Sequence, residues 1–170
     1  MKILITGGTG FVGTQLTSRL IRDDHEMTIL TRSLKGAKGR SPGISYLEGD
    51  PTNKGPWQEA IKNHDAVINL AGASIFAKWT EEYKKVLREG RVNTTRNIVE
   101  GVPSDPRKKR TLFSTSAVGY YGFCGDEELT EESPPGDDFL ARMAVEWEGE
   151  AFKAKDKGAR VVITRFGIVL

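Results

Sequence analysis

The stretch Gly7-Gly8-Thr9-Gly10-Phe11-Val12-Gly13 narrows the folds open to this chain more than any other. Before it stands Lys2–Thr6, a short apolar run with no polar face, as expected of a strand covered on both sides. After it, Val12, Leu16 and Leu20 recur at a spacing that puts them on one side of a helix. A strand that turns through glycines straight into a helix leaves the first helical amides without acceptors of their own. Those N–H groups, with the positive end of the helix dipole, form a seat for a phosphate. Gly7 and Gly8 permit the tight turn, Gly10 lets a diphosphate approach the backbone, and Gly13 lets the helix lie close on the strand. The glycine spacing has meaning because of this strand–turn–helix context.

The same rhythm runs along the chain. Met27–Thr31 and Ile44–Glu48 read as the second and third strands, with a loop rich in Gly, Lys and Ser between them. Pro56 suits the first turn of a short helix through Ile61. Asp65–Gly72 reads as a fourth strand ending in small residues. Thr80, followed by Glu81 and Glu82, starts a long helix through about Val99, stopped by Gly101 and Pro103. Thr111–Val118 is the fifth strand. Asp137 or Asp138 then caps a helix carrying Phe139, Met143, Trp147 and Ala151 on one stripe, and Ala159–Leu170 is the sixth strand. Strands alternating with helices predict an α/β fold: a doubly wound parallel sheet of the Rossmann type, strand order 3-2-1-4-5-6. Its ligand crevice lies at the carboxyl edge between strands one and four. The 170 residues suit one domain, residues 1–170.

Composition removes several function classes. A formal charge of +2 gives no general basis for holding nucleic acid or a membrane surface. The basic run Arg107–Arg110 reads as a solvated loop before strand five. No stretch approaches the ~20 apolar residues needed to span a bilayer. The apolar run after Lys2 breaks at Gly7 and Gly8, too early for a secretory signal. Cys124 is the single cysteine, so no internal disulfide forms, and a reducing, cytoplasmic setting is expected. Neither His25 nor His64 is placed beside it, so it reads as an inert thiol, and no metal ligands are expected. The long helix after strand four offers a face for a homodimer, though no large apolar excess on it demands one.

The ligand class can be read further. A carboxylate about 20 residues past the glycines would favour NAD by accepting from the ribose 2′-hydroxyl. Here the second strand ends in Thr31-Arg32-Ser33, with Lys35 close behind. A planar guanidinium with a neighbouring hydroxyl suits a 2′-phosphate, so NADP is the expected cofactor. Asp50, just past the third strand, can accept from the adenine amino group. Leu70, Ala71 and Gly72 offer small side chains where the cofactor passes, and Thr9, Phe11 and Val12 complete the loop candidates.

Taken in order, the glycine loop, Gly49-Asp50, Asn69-Leu70-Ala71-Gly72 and Phe113–Gly122 resemble an extended short-chain dehydrogenase/reductase. Ser116–Gly122 and Asp138–Ala141 with Trp147-Glu148 narrow the likeness to the nucleoside-diphosphate-sugar epimerase-like subfamily. The resemblance implies that relatives continue into a smaller substrate-binding domain, so this chain reads as the cofactor half of a longer protein. It implies a small-molecule substrate, with a sugar nucleotide as the candidate. It also implies a Ser or Thr after strand five that orients substrate, and a Tyr-x-x-x-Lys on the next helix for acid–base work. Ser116 stands at the hydroxyl position, but Phe139 and Met143 stand at the other two, and neither moves a proton. Tyr121 and Tyr120 are the substitute donors, with aromatic packing as the competing role. Arg88 reads as an exposed helical arginine, and Glu131-Glu132 as solvated loop. Two functions follow: an NADP-dependent oxidoreductase or epimerase-like enzyme, or a non-catalytic NADP(H)-binding module that senses redox state or docks a partner.

Overall fold

Alternate side chains of the first strand enter two different cores, and this dictates the layers. In β1 (Lys2–Thr6), Ile3 and Ile5 pack with Met27 and Ala66 on one face, where Leu20 and Ile21 of the first helix cover them. Leu4 points the other way, into a core with Val67, Ile98 and Leu112. A strand with both faces buried has no use for polar alternation, which is why this run reads as continuously apolar. The computed structural model describes residues 1–36, 42–105 and 107–169.

The elements continue as α1 (Phe11–Arg22), β2 (Glu26–Thr31), β3 (Ile44–Glu48), β4 (Ala66–Asn69), α2 (Glu81–Gly101), β5 (Thr111–Ala117), α3 (Phe139–Phe152) and β6 (Arg160–Phe166). All neighbouring strands pair in parallel, in the order β3-β2-β1-β4-β5-β6. The expected Rossmann order is therefore present, with its reversal between β1 and β4. Thr80 caps α2 by accepting from the Tyr83 amide at 3.2 Å, and Asp138 caps α3 by accepting from Ala141 at 2.9 Å. No described helix is long and apolar enough to cross a membrane.

Several expectations shift. The fourth strand stops at Asn69, so Leu70, Ala71 and Gly72 leave the sheet. The chain bends there because the backbone of Leu70 and Ala71 packs directly against the glycine turn. The sixth strand stops at Phe166. The short helix is a 3₁₀ segment, Pro56–Asn63, and another, Leu34–Gly36, opens the connection from β2 to β3. The rest of that expected loop, residues 37–41, lies outside the described residues. On α1 the buried face centres on Gly13 and Thr17, with Val12, Leu16 and Leu20 half-buried beside it. Arg110 corrects the reading of the basic run as solvated loop. It is 8% exposed and donates to the Lys62 carbonyl at 3.1 Å, while Lys108 pairs with Asp65 at 2.9 Å.

Candidate functional site

The carboxyl edge of the sheet is shaped by two glycines that no other residue can replace cheaply. Gly7 has φ +71°, and its carbonyl accepts from the Gly10 amide at 3.0 Å, closing the turn. A Cβ at Gly7 would lie 2.7 Å from the Leu70 carbonyl, and one at Gly13 would strike the Gly7 oxygen and come 2.6 Å from the Gly8 Cα. The turn, β4's exit and the start of α1 are thus packed backbone to backbone. Gly10 caps α1 without a side chain, and no acidic residue stands in the first turn. The amides of Phe11, Val12 and Gly13 consequently have neither an intrahelical acceptor nor a neutralising carboxylate on their own turn.

A cleft of about 570 Å³ opens over this turn. Gly7, Thr9 and Gly10 line it from the loop, and Thr31, Arg32 and Ser33 from the end of β2. Asp50 lies past β3, and Leu70, Ala71 and Gly72 past β4. Ten of the sequence candidates therefore share one wall system, while Phe11, Val12 and Gly13 sit behind it at the helix start. The Thr31 hydroxyl donates to the Ser33 carbonyl at 3.1 Å, a local turn that leaves Arg32 exposed at the rim. Burial works against the Asp50 carboxylate. It is outweighed by the Thr52 hydroxyl (2.7 Å) and amide (3.0 Å), Asn53 and the charge of Arg32, which hold its pKa below the usual carboxylate value.

Sequence reading missed Leu30, Pro51, Thr52, Ala73, Val86, Gly90 and Thr94, which complete the lining. The Asp50-x-Thr52 spacing is a turn signal that could have drawn attention to Thr52. Thr94 carried no such signal, because only the packing of α2 on β4 brings it to the cleft. Its hydroxyl is buried with no hydrogen-bond partner. A glycine cradle that side chains would fill, together with a buried, unpartnered hydroxyl on the floor, fits a dinucleotide with its diphosphate over α1.

Ser116, Tyr120 and Tyr121 do not line this cleft. Ser116 is 3% exposed and donates to Glu148 Oε1 at 2.6 Å. Arg165 on β6 binds both oxygens of Glu148 at 2.9 Å and donates to the Tyr121 phenol at 2.7 Å. Its guanidinium carbon lies 3.5 Å from the centroid of the Tyr120 ring. Glu148, Arg165 and Tyr121 instead border a second cavity of about 480 Å³ beside β6. Phe139 packs edge-on against Trp79, and Met143 is buried. Arg88 binds Glu146 of α3 through two hydrogen bonds, at 2.6 and 2.5 Å. Glu131 and Glu132 are exposed, and so is Cys124.

Comparison with known proteins places the chain in a family and matches its fold. The family model for the NAD dependent epimerase/dehydratase family matches residues 3–169. A chloroplastic epimerase family protein of Arabidopsis thaliana is 37% identical over 172 residues, covering 100% of this chain and 49% of that protein. A nucleoside-diphosphate sugar epimerase from Corynebacterium glutamicum superposes with a TM-score of 0.79 at 37% identity, covering 100% of this chain and 34% of that one. A human epimerase family protein solved with NADPH gives a TM-score of 0.77 at 31% identity, covering 100% of this chain and 55% of that one. This chain spans about half the length of the curated relatives it matches.

Proposed function

This chain belongs to the NAD dependent epimerase/dehydratase family, and from that premise we propose that its cleft holds NADP(H) and that residues 1–170 form the cofactor half of an oxidoreductase or epimerase-like enzyme. The observation that carries the reading is the exposed guanidinium of Arg32 at the rim of a glycine-floored cleft whose helix start has free amides. The amides of Phe11, Val12 and Gly13 would hold the diphosphate, and Arg32 with Ser33 the 2′-phosphate, where Arg can bind in a planar, bidentate way. Asp50 would accept from the adenine amino group through the lone pairs that Thr52 and Asn53 leave free. The human relative solved with NADPH supports the same cofactor. A bound nicotinamide dinucleotide supplies hydride exchange.

For the substrate side, the Corynebacterium relative points to a sugar nucleotide. Tyr121 is the proton donor we favour over Tyr120, because Arg165 donates to its oxygen and leaves the phenolic proton for another acceptor. Ser116 acts through Glu148 as a positioning residue of this cluster. A second reading, a non-catalytic NADP(H) sensor, draws on the same bond: a Ser116 hydroxyl committed to Glu148 is not offered to substrate.

Calorimetry with NADPH and NADH, on the protein and on Arg32→Ala, tests the cofactor assignment. The variant should lose the preference for NADPH by roughly tenfold or more. An unchanged NADPH/NADH affinity ratio would refute it. NADPH consumption with a panel of carbonyl compounds and sugar nucleotides, abolished in Tyr121→Phe, separates enzyme from sensor.

A further inference from the structure

Three arginines project from α2 near α3, and two of them are neutralised. Arg88 binds Glu146 and Arg96 binds Glu150. Arg91, between them, has no carboxylate within ion-pair distance among the described residues. Its Nη2 donates to the Ala73 carbonyl at 2.9 Å and its Nη1 to the Leu87 carbonyl at 3.1 Å. Its guanidinium carbon lies 5.4 Å from the centroid of the Trp147 ring. Burial pulls its pKa below the ordinary arginine value, partly offset by Tyr83, yet a guanidinium stays charged near neutrality. Two carbonyl dipoles and an indole face fix this cation in place without cancelling it.

The cation stands immediately behind the cleft wall. A Cβ at Gly72, which lines the cleft, would come within 3.3 Å of the guanidinium. A side chain at Gly72 would press on Arg91, and glycine interposes none of its own between that charge and the cleft. Its position relative to the strand order matters. Arg32 follows β2 and Asp50 follows β3, whereas Gly72 follows β4, across the reversal from both. A dinucleotide with its adenosine half over β2 and β3 lays its nicotinamide half on the β4 side.

An oxidised nicotinamide ring carries a positive charge and a reduced ring does not. Resting on the NADP(H) reading above, we propose that Arg91 makes this cleft discriminate between redox states, holding the reduced dinucleotide more tightly than the oxidised one. Repulsion between this fixed cation and the charge of the oxidised ring in a partly buried site corresponds to a difference on the order of tenfold in affinity. The adenosine, diphosphate and 2′-phosphate contacts are common to both forms and cancel in that ratio.

Dissociation constants for NADPH and NADP⁺, measured by calorimetry on the protein, Arg91→Gln, Arg91→Met and Arg91→Lys, test this. The wild type should favour NADPH by about tenfold. Arg91→Lys should keep most of that preference, and the two neutral variants should lose it through tighter NADP⁺ binding with NADPH affinity little changed. Equal wild-type affinities overturn the inference whether or not any variant folds, and so does a preference that survives in either folded neutral variant. If the wild type binds neither form, the cofactor reading itself is overturned and this inference with it. That outcome is distinct from binding without discrimination, which removes the role of Arg91 alone.

Discussion

Arg165 and Glu148 meet end to end between β6 and α3, with Nε and Nη2 of the guanidinium each 2.9 Å from a different carboxylate oxygen. The side chains are 16% and 5% exposed, and the Ser116 hydroxyl shares one of the carboxylate oxygens. The bonds to Glu148, and then to the Tyr121 phenol, raise the Arg165 pKa above the ordinary arginine value. Arg165→Met leaves a buried carboxylate without its cation, so it should lower the unfolding free energy by about 3–5 kcal/mol. Arg165→Met combined with Glu148→Leu should recover much of that loss, because no charge is then stranded. Urea denaturation of both variants checks this. A single variant within about 0.5 kcal/mol of wild type contradicts it.

The glycines of this chain divide by what surrounds them. A Cβ at Gly13 has no room between α1 and the Gly7-Gly8 turn, whereas one at Gly149, inside α3, meets nothing within 4 Å. Gly149→Ala should therefore raise stability by about 0.5–1 kcal/mol through helix propensity alone. Gly13→Ala should lower stability by about 1–3 kcal/mol as α1 is pushed off the turn. It should also weaken NADPH binding at least as much as Arg32→Ala does. Equal thermal stability in the two variants would show that the close approach at Gly13 is not tight.

The parts that local chemistry writes were legible in the sequence. An apolar β1, a glycine turn and the capping residues Thr80 and Asp138 each declare themselves within a few residues, and the strand order follows from right-handed crossovers. Ten cleft residues were found because strand ends and glycine turns mark the sheet edge. What the sequence hid depends on contacts between distant segments. Arg91 reads as one more helical arginine until Trp147 and Ala73 surround it, and Arg165 reads as strand until Glu148 meets it. Arg110 misled for the same reason. A basic run looks solvated, and only the packing of the Lys62 carbonyl over it reveals a buried guanidinium.

Glu150 supplies an acid-stability prediction. Its side chain is 8% exposed, and burial alone would raise its pKa. Arg96 (2.8 and 3.2 Å) and Lys153 (2.9 Å) outweigh burial and hold the pKa below the usual glutamate value. A depressed folded-state value means the stabilisation is fully present above the unfolded value of about 4.3 and is lost as pH falls through the folded one. Glu150→Gln should therefore be less stable than wild type near neutrality, with the gap closing below about pH 4. Chemical denaturation across that range measures it, and a gap that stays constant on acidification would contradict the assignment.

The polar chain beneath the glycine turn yields the last prediction. Thr95 Oγ1 accepts from Asn69 Nδ2 at 2.9 Å and from Trp147 Nε1 at 2.8 Å, and Asn69 Oδ1 accepts from Thr6 Oγ1 at 2.7 Å. Thr6, Asn69 and Thr95 are completely buried, so each donor depends on its partner. Thr95→Val keeps the shape but strands two buried donors, at about 1–3 kcal/mol each. Thr95→Ser keeps the oxygen and should lose only about 1 kcal/mol for the missing methyl. Thr6 leads directly into Gly7, and Asn69 into Leu70, which packs on Gly7. The valine variant should therefore also bind NADPH more weakly, while the serine variant binds it normally. Thermal melts with and without NADPH separate the two effects. Valine and serine variants of equal stability would mean that Thr95 serves as packing volume and not as the shared acceptor.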